Sequence, residues 1–214
     1  GRRSKNSSYL LYPQTLGGLD LFSLPKETIK HLYELTGRVT PLKQDCGLLC
    51  QKVCCSEWET GVGVYLLPGE EEMFGPEDAS WLQFEDHSPE DYDIYPGFGR
   101  PLRFVRCHGS CPRDRRPFEC RTFPLVPLIA DSEPKDRGRH SGDYAFELAF
   151  NPEGILICPL VQSGDLSLLD REFVNACRQA YLVLMQFSVM RDYFRWASEN
   201  YWRQEQEPWM RLFR

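Results

Sequence analysis

Apolar residues recur at helical spacing in two parts of the chain. Ile29, Leu32, Tyr33 and Leu35 place an apolar face along residues 25–36, which predicts an amphipathic helix. Ser23 is the expected N-cap, Pro25 suits the first turn and Gly37 supplies the stop. In the last third, Leu169, Phe173, Val174, Cys177, Tyr181 and Leu184 keep the same period, with Ser167 and Asp170 spaced as a capping box at the start. A further helical stretch covers residues 188–202, either separate from the first or continuous with it.

Between these ends the apolar runs shorten. Residues 62–67 predict a strand, closed by a turn at Pro68-Gly69 and followed by a short helix. Residues 81–84 and 123–130 predict two more strands, and residues 132–142 a polar loop. Residues 144–150 and 155–158 flank Asn151-Pro152-Glu153-Gly154, which reads as a hairpin turn. Strands in the middle and helices at both ends predict an α+β fold of small central antiparallel strands. We expect a single domain over residues 1–214, with a cysteine-rich region at about 46–160 and a helical region at about 165–205.

Charge changes this picture in one place. Ten Asp or Glu and no Lys or Arg fall between Glu70 and Asp93, and seven arginines fall between Arg100 and Arg121. The acidic stretch predicts a solvated face. The formal net charge of −6 argues against a surface that as a whole binds nucleic acid or acidic membrane. No apolar run approaches the roughly 18 residues of a membrane helix. The basic start, Gly1-Arg2-Arg3-Ser4-Lys5-Asn6, precedes an apolar stretch too short for a secretory signal. A soluble, cytoplasmic protein is expected, with neither nucleic acid nor membrane as partner.

Nine cysteines then need a reason. An odd count without an export signal favours reduced thiols over disulfides, and clustered reduced thiols favour a metal. The first block reads Asp45-Cys46-Gly47-Leu48-Leu49-Cys50-Gln51-Lys52-Val53-Cys54-Cys55. The second reads Arg106-Cys107-His108-Gly109-Ser110-Cys111 and continues into Arg116-Pro117-Phe118-Glu119-Cys120-Arg121-Thr122-Phe123-Pro124; Cys158 stands in Ile157-Cys158-Pro159. Thiolate sites need several sulfurs within about 2.3 Å of one ion, which close-spaced cysteines on loops can supply. Adjacent Cys54 and Cys55 diverge, so one faces elsewhere or each binds a different atom. Cys46, Cys50, Cys54, Cys55, Cys107, Cys111, Cys120 and Cys158 are therefore the candidate ligands, enough for two four-coordinate sites or one cluster with spares. Zinc and an iron–sulfur cluster both satisfy this donor set, and either would staple the core.

Neighbouring residues are weighed the same way. Arg116 or Arg121 would balance thiolate charge and donate hydrogen bonds to sulfur. His108 is a loop residue or a zinc ligand, and His140 a plain loop residue. Glu70 opens a short helix as a dipole-matched acid, or serves as an oxygen ligand or catalytic carboxylate. Cys177, on an apolar helix face, reads as a buried thiol. Tyr193, Phe194, Trp196, Tyr201 and Trp202 are too broad a series for one core stripe; they read as packing, with a partner surface as the alternative. The chain has no Ser-His-Asp set, phosphate loop, His-Glu-x-x-His or dinucleotide fingerprint.

A cysteine run ending in Cys54-Cys55, then Leu67-Pro68-Gly69-Glu70, then Arg-Pro-x-x-Cys-Arg-x-Phe-Pro over residues 116–124, resembles the zinc- or iron-chelating cysteine-cluster family, which includes the flagellin lysine N-methylase. The resemblance spans roughly residues 46–160. It implies a metal or cluster held by Cys46, Cys50, Cys54, Cys55, Cys107, Cys111 and Cys120, with the choice between Cys107 and Cys111 open. Two functions follow as expectations. One is a metal-binding protein with a structural or carrier role. The other is a metal- or iron–sulfur-dependent enzyme that modifies a side chain of a protein substrate. Thiol–disulfide exchange is the weaker reading, since the spacing is not Cys-x-x-Cys.

Overall fold

Burial decides how the first helix is used. In the computed structural model, α1 (Lys26–Thr36) turns Ile29 and Leu32 fully inward and seals its end with Thr36 Oγ1 donating to Leu32 O at 2.7 Å. Ser23 does not cap it. Its hydroxyl instead accepts from Arg100 Nη1 at 2.5 Å, and Pro25 occupies the cap position without a side-chain bond. The structure describes residues 22–55, 63–108, 111–129 and 146–203, plus the backbone of β1 (Thr15–Leu16) and β2 (Leu19–Asp20), an antiparallel pair. The Cys55 side chain, His140 and the 132–142 loop lie outside the described residues.

α1 packs against α5 (Arg171–Leu184), whose Phe173, Cys177, Ala180 and Leu184 are all fully buried. The helix starts at a different residue from the one the spacing predicts. Asp170 itself is the N-cap, accepting from Glu172 N at 2.8 Å and Phe173 N at 3.4 Å, while the Ser167 amide is held by Asp165. α5 ends at Leu184, and α6 (Ser188–Ala197) begins after a break at residues 185–187, so the two helical stretches are distinct. Arg191 Nη1 donates to Met185 O at 2.6 Å across that break. A wider turn, Ser198–Trp202, follows α6.

Beyond the β1–β2 pair, the described strands form two small antiparallel sheets. In the first, β5 (Leu102–Cys107) lies between β3 (Val64–Tyr65) and β4 (Leu82–His87). In the second, β6 (Leu125–Ile129) pairs with β7 (Phe146–Phe150), Leu125 opposite Phe150. The expected hairpin at residues 151–154 does not form, because β7 spends its ladder on β6. Residues Pro152–Leu156 instead make a 3-10 turn, with Asn151 accepting from Glu153 N at 3.0 Å. Asn-Pro-x-Gly suits both geometries, and the partner strand decides between them.

The β4–β5 register also explains the reversal of charge. Asp86 stands opposite Arg103 and pairs with it at 3.2 Å, and Arg106 Nε meets Glu85 at 2.5 Å. Arg100 pairs with Glu71, and Arg115 with Asp78, a residue only 2% exposed that also accepts from Trp81 Nε1. Part of the acidic stretch is thus ion-paired with the arginines that follow it. The main apolar core joins α1, α5, α6 and the β6–β7 sheet; a smaller one gathers Leu66, Trp81, Leu82 and Val105. Helices with small antiparallel sheets make the fold α+β. Among the described residues, no helix is long and apolar enough to cross a membrane.

Candidate functional site

Two short elements carry the thiols that come together. α2 (Gly47–Cys50) is a single turn begun by Asp45, whose carboxylate accepts from Gly47 N at 3.0 Å. Past it the chain reverses through Gln51 and Lys52, both with left-handed backbone (φ 54° and 59°), and enters a 3-10 turn at Val53–Cys55. α4 (Pro159–Ser163) begins immediately after Cys158. Cys46, Cys50, Cys54 and Cys158 line one pocket of about 20 Å³, whose remaining walls include Pro41, Leu49, Phe123 and Pro124.

Electrostatics tie these sulfurs to one another. Burial, then Asp45, Cys158 and Cys50, push the Cys46 thiol above its ordinary value, while the Arg116 charge pulls it back. Burial raises the Cys158 thiol too, against the amides of Val161 and Leu160, which favour its thiolate. The Arg116 charge thus reaches the Cys46 thiol. Arg121 is engaged with other groups. Its guanidinium lies 3.9 Å over the Tyr33 ring and donates to the carbonyls of Arg116 (2.5 Å) and Asp114 (2.6 Å).

The other cysteines go elsewhere. Cys107, at the end of β5, and Cys111 both pack on the smaller apolar core, and Cys111 Sγ approaches Pro112 O at 3.5 Å. Cys120 sits in α3 (Phe118–Thr122), where its charge would reach Tyr33. Cys177 is fully buried, with its thiol pushed up to about 12 by that burial. His108 is exposed. Four soft donors on one apolar-walled pocket are of the type that zinc and iron take. Among the described residues, no three His, Cys, Asp or Glu side chains are already set at metal-holding geometry.

Glu70 opens a short helical turn, as its sequence position suggested, and its carboxylate does more than match the dipole. It is fully buried at the start of a 3-10 turn (Glu70–Met73), and its carboxylate accepts from Tyr33 Oη (2.6 Å), Phe118 N (2.6 Å) and Leu67 N (2.8 Å). Burial raises its pKa, opposed by these bonds and by Arg121. This carboxylate ties α1 and the Leu-Pro-Gly-Glu turn to the start of α3. Gly69 (φ 96°) completes the turn, since a Cβ there would meet Leu24 O at 2.6 Å.

A second, larger cavity of about 400 Å³ gathers residues that sequence reasoning did not bring together. Its walls include Tyr95 and Phe104 from the first sheet's side, Tyr193 and Trp196 from α6, Tyr201 and Trp202 from the turn after it, and the carboxylates Glu119 and Glu153. Burial and the charges of Glu153 and Glu70 push Glu119 up to about 8, against an amide bond from Tyr65. The surplus aromatics of the C-terminal helix were the one signal in the sequence. Phe123 belongs to the walls of both this cavity and the thiol pocket.

No protein-family model, curated protein or solved structure matches the chain.

Proposed function

We propose that this protein binds a thiophilic metal, zinc or an iron–sulfur cluster, and that Cys46, Cys50, Cys54 and Cys158 hold it. One observation carries the reading: four thiols from segments more than a hundred residues apart line the same small pocket. Bound metal would replace the protons that burial keeps on Cys46 and Cys158 and join the α2 and α4 segments. Arg116 would offset the accumulated thiolate charge. The left-handed pair Gln51 and Lys52 leaves Cys54 on a short reversal whose closing can bring the sulfurs together.

Anaerobic purification with elemental analysis and a visible spectrum tests it. Zinc or iron should copurify near stoichiometrically; sulfur-to-iron charge-transfer absorbance identifies a cluster, and a colourless zinc protein identifies a single ion. Cys50→Ser and Cys158→Ser should lose metal, while Cys177→Ala should keep it. Metal-free native protein, or retention by both serine variants, rejects the assignment.

A second reading makes the metal centre part of an enzyme that modifies a protein side chain. It is favoured by Phe123, which stands between the thiol pocket and a cavity large enough for a ligand. Loss of the metal would then alter binding in that cavity, a coupling the purely structural role does not require.

A further inference from the structure

We propose that the large cavity is a binding site for a small quaternary ammonium ion, seated on the aromatic wall of α6 and neutralised by Glu119 and Glu153. The wall is continuous. Tyr95 lies 5.9 Å from Tyr193 and 5.6 Å from Trp196, and Trp196 lies 5.3 Å from Tyr201, ring centre to ring centre. Such π faces attract cations most strongly when the cation is weakly hydrated.

Both carboxylates line the same cavity as this wall. Each of their charges is felt at Tyr193, and that of Glu153 also at Tyr201. They also act on each other. Glu119 is half-buried on α3, while Glu153 is exposed on the 3-10 turn after β7. Among the described residues, no Lys, Arg or His lines the cavity. Burial and the nearby Glu153 charge disfavour the ionised form of Glu119 in the empty site, and a cation beside the pair favours it. The volume, about 400 Å³, falls within the range of small-molecule sites.

The class of cation follows from the hydrogen-bonding capacity of the walls. A primary ammonium needs about three acceptors to replace its water. Most of the lining is aromatic or apolar, offering ring faces and contact rather than strong acceptors. A quaternary ammonium needs none, only apolar contact and opposite charge. This assignment is independent of the metal pocket.

Titration of the full-length protein with choline, followed by calorimetry and tryptophan fluorescence, tests it. Choline should bind about ten-fold more tightly than its neutral isostere 3,3-dimethylbutan-1-ol, and more tightly than n-butylammonium. Glu153→Gln, at an exposed position, and Trp196→Phe should each weaken choline by several-fold with unchanged melting temperature, whereas the isostere should be indifferent to Glu153→Gln. Equal binding of choline and isostere overturns the proposal, as does preference for n-butylammonium, unchanged affinity in both variants, or no binding of choline. Chelator treatment that removes the metal but leaves choline affinity intact separates this site from the thiol pocket.

Discussion

Replacing Glu70 by alanine should destabilise the protein by about 3–5 kcal/mol, whether or not metal is present. The figure comes from what the carboxylate leaves behind. Three buried donors, Tyr33 Oη, Phe118 N and Leu67 N, lose their acceptor, and each stranded buried donor costs about 1–3 kcal/mol. Arg121, 7% exposed, also loses the opposing charge of Glu70. Against this, alanine removes the cost of burying a carboxylate, the same cost that raises the pKa of Glu70. For a chain of this length, about 2–4 °C of melting temperature goes with each kcal/mol, so a fall of roughly 6–20 °C is expected. Glu70→Gln should lose less, because one oxygen survives while its amide opposes a donor.

Urea unfolding monitored by circular dichroism, on the protein as isolated and after chelation, measures both. A loss below about 1 kcal/mol in the chelated protein would refute the account, since three stranded donors cannot cost so little. A loss confined to the metal-loaded form would instead make Glu70 a ligand.

The remaining predictions concern pH and a helix cap. Zinc uptake should release protons, so the apparent affinity rises with pH as the raised thiols of Cys46 and Cys158 surrender theirs; competition with a chromophoric chelator between about pH 6 and 9 checks it, and a flat profile contradicts it. Glu119 titrates near 8 in the folded chain against an ordinary value of 4.5, so the folded state holds its proton more tightly. The associated stability is complete below about 4.5 and declines as pH rises through about 8, and Glu119→Gln should flatten that decline, with Glu153 and Glu70 as the neighbouring charges that remain. Asp170→Ala should cost about 1 kcal/mol by freeing the amides of Glu172 and Phe173, measured by the urea midpoint.

The helices were legible in the sequence because their signal is local. A stripe such as Ile29 and Leu32, or Phe173, Cys177 and Leu184, repeats within one or two turns, and the structure buries those residues. Even there, neighbours competed for the caps: Arg100 took Ser23, and Asp165 held Ser167 so that Asp170 became the cap. The cysteine spacing pointed to Cys46, Cys50 and Cys54 as one group for the same local reason, and these three do line one pocket.

What the tertiary structure alone decided was every choice among distant partners. β7 paired with β6 rather than with the residues after its own turn. Glu85 and Asp86 of the acidic stretch met Arg106 and Arg103 of the basic one across the β4–β5 pair. Cys158 joined the first cysteine block, while Cys107 and Cys111 packed on Trp81 and its neighbours. Glu70 met Phe118 across 48 positions of chain, and Glu119 met Glu153 beside the aromatic wall of α6. Residue type and spacing set what each segment can bury or bond, but partners far apart in the chain are chosen only when close packing leaves one arrangement that buries the apolar faces and satisfies the polar groups between them.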